Sequence, residues 1–121
     1  MGRFLILKKN NDFQSVFEKG HSFSGRYIVV YFLHNCFQNN RYGFAVGKKI
    51  GAAVIRNRVK RILREINFKS LPDAISAMDI VIVARVTILK ANFICIFNDY
   101  QHILDKAKLY FSLNSKNKEE S

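Results

Sequence analysis

Acidic residues are scarce in this chain: 9 Asp and Glu stand against 20 Lys and Arg, for a formal net charge of +11. A compact domain with that surplus repels itself and attracts polyanions, so nucleic acid is the leading class of partner and an anionic membrane the second. Cysteine is nearly absent. Cys36 and Cys95 lie far apart with no C-x-x-C pair, which argues against a disulfide scaffold and for free thiols in a reducing compartment. Long apolar runs are missing as well. Residues 4–7 form the only one near the N-terminus, shorter than the roughly 7 to 15 residues of a signal-peptide core and far short of a membrane span. The chain begins Met-Gly, but position 6 is Ile, where the myristoylation pattern requires Ser or Thr. A cytoplasmic location without membrane attachment is therefore expected.

Catalytic and metal-binding patterns are also lacking. His21, His34 and His102 are scattered, and G-x-S-x-G, H-E-x-x-H and Walker sequences do not occur. The acids never cluster as a magnesium cage requires. A chain that hydrolysed RNA by itself would need an acid and base pair or a metal cage, so no catalytic residue and no metal ligand is assigned.

What is present is enough for one modest core: 121 residues, 49% apolar and 13% aromatic, without internal repeats or linkers. A single domain over 1–121 is expected, its core spanning about 4–113 and a polar tail covering 114–121. "KKNNDFQSVFEKGHSF" predicts a short first helix, with Asn11 or Asp12 as N-cap, Phe13, Val16 and Phe17 at helical spacing, and Gly20 as the stop. Tyr27 to Leu33 is β-branched and aromatic and predicts a strand. Alternation puts Tyr27, Val29, Tyr31 and Leu33 on one face and Ile28, Val30 and Phe32 on the other. A bend at Gly25 is left open. After a turn at 38–40, Tyr42 to Val46 predicts a second strand, antiparallel to the first if the loop is tight. "DIVIVARV" follows a loop containing Pro72, the only proline, and is so continuously apolar that it should be a central strand. Apolar positions spaced by three and four from about Asn92 to Leu113 predict a final helix. Helices against a mixed sheet, an α+β arrangement, accommodate this order.

"AAVIRNRVKRILREI", residues 52–66, carries the strongest signal. At 100° per residue, Val59, Ile62, Leu63 and Ile66 fall with Ile55 inside a stripe about 100° wide, enough to seat a helix on a sheet. Asn57, Lys60, Arg61 and Arg64 occupy the far side, with Arg56 and Arg58 bordering the seam. Glu65 is the only acid among them, and Lys48 and Lys49 precede the helix. An unneutralised cationic ridge on a rigid support suits phosphates, and Arg provides fork-like contacts to them. A merely solvated face, or a membrane-surface or calmodulin-type helix, are the alternatives. Phe13, Phe17, Tyr27 and Tyr31 are either core or a stacking platform for single-stranded bases.

"AVGKKIGAAVIRNRVKRILRE" resembles the RNR signature of the bacterial ribonuclease P protein family. "NNDFQSVFEKG", "RYIVVYFL" and "DIVIVAR" match further hallmarks in order, from about Asn11 to Arg85. The resemblance implies an α-β-β-β-α-β-α domain of mixed sheet with a left-handed β-α-β crossover, against the general rule for such units. It implies a protein subunit, not itself catalytic, bound to a large catalytic RNA. Together the two remove the single-stranded 5′ leader of precursor tRNA, with magnesium bound through the RNA and no cofactor on the protein. The expected RNA contacts are Lys48, Lys49, Arg56, Asn57, Arg58, Lys60, Arg61 and Arg64. The expected leader cleft comprises Phe13, Phe17, Val29, Tyr31, Asn57, Lys60 and Arg64. Ala45 stands where some relatives carry Ser, removing one polar contact to the leader. The protein alone is expected to be a monomer. A ribosomal RNA-binding protein is the competing reading. A DNA recognition helix is disfavoured, because the segment upstream of the basic helix reads as a strand.

Overall fold

The computed structural model describes residues 5–37, 39–70 and 77–120. The loop expected around Pro72 lies outside the described residues. A two-residue strand β1 (Leu5–Ile6) leads into helix α1 (Asn10–Lys19), which begins earlier than its sequence suggests. Lys9, not Asn11 or Asp12, takes the N-cap position, and its side chain makes no cap hydrogen bond. The N–H groups of Asp12 and Phe13 bond to the Lys9 carbonyl at 3.1 and 3.3 Å. Asp12 thereby falls in the first turn, where a carboxylate favours the helix dipole. Gly20 ends α1 as expected, its N–H bonding back to the Val16 carbonyl at 2.8 Å.

The apolar run after α1 divides at Gly25 into β2 (His21–Ser24) and β3 (Ile28–His34), an antiparallel hairpin. The split has a steric cause. A Cβ at Gly25 would sit about 2.4 Å from Asp99, and that carboxylate accepts N–H bonds from Arg26, Tyr27 and Ile28.

Strand β4 (Arg41–Ala45) does not pair with β3. The two run in opposite directions, as expected, but β5 (Met78–Ala84) lies between them, antiparallel to β3 and parallel to β4. Among the described residues the sheet order is β1-β4-β5-β3-β2. The β3–β4 connection is stitched to the start of β5 instead of closing a hairpin. Asn35 N–H reaches the Ala77 carbonyl at 2.9 Å, and Asn40 Oδ1 accepts the Met78 N–H at 2.9 Å. An almost wholly buried strand gains most where neighbours flank both its edges, and β5 occupies that central place.

Parallel β4 and β5 require a crossover, supplied by a 3₁₀ turn (Lys48–Ile50) and helix α2 (Ala53–Ser70). Helix α3 (Phe93–Glu120) follows β5 and a second 3₁₀ turn (Val86–Lys90), and it runs on through the stretch expected to be a tail. After the small β1, the α-β-β-β-α-β-α order is complete.

The helices divide unequally between the two faces of the sheet. α2 and α3 cover Ile28, Val30 and Phe32 of β3, together with Ile80 and Ile82 of β5. The α2 stripe is seated there as its periodicity requires: Val59, Leu63 and Ile66 are buried, with Ile55 and Ile62 packed beside them. Tyr100 of α3 donates a 2.7 Å hydrogen bond to Asn67 of α2 inside this core. On the opposite face, among the described residues, α1 is the helix that covers the sheet, with Val16, Leu7 and Val81 at the centre of a smaller cluster.

Candidate nucleic-acid interface

Lys48 and Lys49 stand exposed on the 3₁₀ turn, which is anchored by buried Ile50. Gly51 then takes φ 147°, a conformation that side chains rarely adopt, and the chain turns there into α2. Arg56 braces the turn, its Nε donating to the Gly51 carbonyl at 3.1 Å, so part of its guanidinium is committed to structure. Asn57, Arg58, Lys60, Arg61 and Arg64 are exposed along the outer surface of α2. Among the described residues none of these cations is in an ion pair, the recorded pairs being those of Arg41. Arg64 carries its guanidinium 6.0 Å from the Phe44 ring on β4, the outer limit for a cation–π contact.

The aromatic half of the expected site lies on the α1 face. Phe13 rests against β4 at Gly43, where a Cβ would come within 2.8 Å of its ring. Phe17 is 42% exposed, so its ring is not part of the core. Its ring lies 6.4 Å from Phe13 and stands edge-on to Tyr31 at 5.0 Å. Val29 and Tyr31 project from the same face of β3 and are half-buried, as are Ala45 and Val83 beside them. Tyr27 is not part of this platform. It precedes β3 and packs with the α2–α3 core, its N–H held by Asp99, because the strand alternation that would have aligned it with Tyr31 begins one residue later.

The expected site is thus in two parts. Among the described residues no hydrogen bond, ion pair or ring contact joins Asn57, Lys60 or Arg64 to Phe13, Phe17 or Tyr31. A concavity of about 700 Å³ at the C-terminal ends of β4 and β5 lies between their supporting elements, lined by Gly47, Lys48, Lys49, Val83, Arg85 and Thr87. Of its apolar lining, Val83 packs on the cluster beneath α1, while Ile50 and Ala84 belong to the α2–α3 core. Arg85 was not singled out from sequence, where it reads as the end of a strand. The available signal was its place just past a parallel strand, where ligands commonly bind. Its Nη1 donates to the Gly25 carbonyl at 2.7 Å.

A second unforeseen group is Asp79, an acid in an otherwise apolar strand and only 5% exposed. Arg41 engages it with two hydrogen bonds, from Nε at 2.8 Å and Nη2 at 2.6 Å, and Asn35 donates a third at 2.9 Å. Hydrogen bonding to Asp79 raises the Arg41 pKa above its ordinary value, against the opposing effect of burial. Arg41 also faces Asp12 of α1 at 3.8 Å.

A family model described as ribonuclease P matches residues 1–108. The chain belongs to the ribonuclease P protein family. It is 43% identical to the ribonuclease P protein component of Syntrophomonas wolfei over 104 residues, covering 86% of this chain and 87% of that one. A solved structure of the Staphylococcus aureus RNase P protein superposes with a TM-score of 0.77 at 41% identity, covering 88% of this chain and 97% of that one. The RNase P protein of Thermotoga maritima gives a TM-score of 0.75 at 29% identity, covering 86% and 97%. The protein is accordingly the protein subunit of ribonuclease P, an accessory subunit of an RNA-based endoribonuclease that acts in tRNA processing.

For a ribonuclease P protein, the site's chemistry is that of a binding surface. Among the described residues no three His, Cys, Asp or Glu side chains come together to hold a metal ion, and Asp12 and Asp79 both engage Arg41. Among the described residues no helix is long and apolar enough to cross a membrane.

Proposed function

We propose that the two parts of the interface together hold the catalytic RNA and the 5′ leader of precursor tRNA. The ridge of Arg58, Lys60, Arg61 and Arg64, with Lys48, Lys49, Arg56 and Asn57, contacts the catalytic RNA and the nearby leader. The open face beneath α1, lined by Phe13, Phe17, Val29 and Tyr31, receives the single-stranded 5′ leader of precursor tRNA. Asn57, Lys60 and Arg64 border its path. The observation that carries this reading is Phe17, a large aromatic ring left 42% exposed against Tyr31 on the α1 face of the sheet. Aromatic rings exposed on a rigid support offer stacking to unpaired bases, and neighbouring cations neutralise the backbone.

The protein lowers the electrostatic cost of joining precursor tRNA to a second polyanion and holds the leader so that the scissile bond meets the magnesium bound by the catalytic RNA. Mature tRNA lacks the leader and so lacks this handle. The protein works as a monomer in the cytoplasm and contributes no catalytic group or cofactor of its own. The test is reconstitution with the catalytic RNA at moderate magnesium. Precursor processing should be restored, precursor should bind more tightly than mature tRNA, and the protein alone should cleave nothing. Equal affinity for the two tRNAs would favour a general RNA-binding role instead.

A further inference from the structure

A charged post that the binding surface itself does not include faces the first turn of α1. Arg41 projects from β4 on the α1 face and is fixed at its base by buried Asp79, through the two hydrogen bonds from Nε and Nη2. Asn35 occupies the same Asp79 oxygen that the Arg41 Nε uses, and the Phe37 ring lies 4.6 Å from the guanidinium on the side of the β3–β4 connection. The guanidinium is therefore held in one orientation, with Nη1 directed to Asp12 in the first turn of α1 at 3.8 Å. One residue further along α1, Phe13 lies on Gly43, two residues along β4 from Arg41 and on the same face of the sheet. One helical turn beyond that stands Phe17, against Tyr31.

We propose that Arg41 and Asp12 are positioning residues for leader recognition: the Asp79-anchored guanidinium holds the first turn of α1 so that Phe17 stays in register with Tyr31. This rests on the reading that the leader stacks on that face. Packing of Val16 and Phe13 keeps α1 on the sheet, while the Asp12–Arg41 pair fixes its rotation and shift. A pair exposed to this degree contributes little to stability, so its removal should leave folding intact and loosen the platform.

Asp12→Asn separates this role from simple electrostatics, because the two make opposite predictions. Removing an acid from a surface that faces RNA should strengthen binding of a polyanion. Loss of a positioning contact should weaken leader-specific binding. In the reconstituted holoenzyme, the ratio of precursor to mature tRNA affinity should fall about two- to five-fold for Asp12→Asn, a change of the size an exposed pair supplies. The melting temperature should stay unchanged and Asp12→Glu should restore the ratio. In a Phe17→Ala background, Asp12→Asn should have no further effect, since the ring it positions is gone. A ratio that is unchanged or raised by Asp12→Asn, while Phe17→Ala alone lowers it, overturns the positioning role and leaves the leader reading standing. A ratio unaffected by Phe17→Ala overturns the leader reading itself.

Discussion

The two faces of one strand, β3, are treated very differently. Ile28, Val30 and Phe32 are wholly buried under α2 and α3, whereas Val29, Tyr31 and Leu33, on the face of the ten-residue α1, are only half-buried. Both sets are apolar, and only one is used up by folding. The crowded face carries most of the buried apolar side chains and so most of the hydrophobic stabilisation. The sparse face leaves Phe17 42% exposed beside Tyr31, aromatic surface that a fold seeking only stability would have covered and that the proposed leader site uses.

Substitutions on the two faces should therefore separate stability from binding. The largest effect is expected from Val59→Asp. It places an unpaired carboxylate under α2 and should cost more than about 3 kcal/mol, seen as a collapse of the thermal melt. A wild-type melt would show that α2 is not seated as described. Next, Phe17→Ala should reduce leader-dependent affinity by about 1 to 3 kcal/mol while costing under about 1 kcal/mol of stability. Precursor and mature tRNA titrations beside melting curves check this. Tyr31→Ala should act in the same direction but also destabilise the fold, because Tyr31 is half-buried.

Tyr100 gives the crowded face a pH signature. Its phenol is fully buried, and burial, with a smaller effect of Tyr42, raises its pKa above the ordinary value. The sign follows from linkage: a raised folded pKa contributes stability below the unfolded value of about 10, and that contribution is lost as pH climbs above it. Tyr100→Phe should lose about 1 kcal/mol at neutral pH through the broken bond to Asn67. It should also show a shallower stability loss above about pH 10, measurable by denaturation at several pH values. The smallest effects are expected on the ridge. Lys60→Ala and Arg64→Ala should each lower the salt dependence of RNA binding by about one unit of slope, with stability unchanged within about 0.5 kcal/mol. An Arg64→Ala protein that melts early but binds normally would reverse its assignment.

Much of this contrast was legible in the residues. The period of α2 fixes both its buried stripe and its cationic ridge, alternation in β3 separates two apolar faces, and the continuous apolarity of β5 marks it as central. Strand pairing was not legible. Nothing local in "RYGFA" states that its neighbour lies more than thirty residues downstream, and the sequential hairpin is the default until β5 inserts. Gly25 divides a strand because of Asp99, far along the chain, and α1 starts after Lys9, whose side chain makes no cap hydrogen bond. The site follows the same rule. The cations of α2 could be read from spacing, and the family resemblance pointed to Phe13 and Phe17. Arg85 and Arg41 acquire meaning only when the topology brings the ends of β4 and β5 together.

The central claim is that the leader lies on the face beneath α1, and site-directed crosslinking tests it most directly. A photoreactive base placed in the leader of precursor tRNA, bound to the reconstituted holoenzyme, should attach within residues 13–17 and 29–31. Crosslinks confined to α3 or to the far side of α2, with residues 13–17 and 29–31 unmodified, would contradict the account.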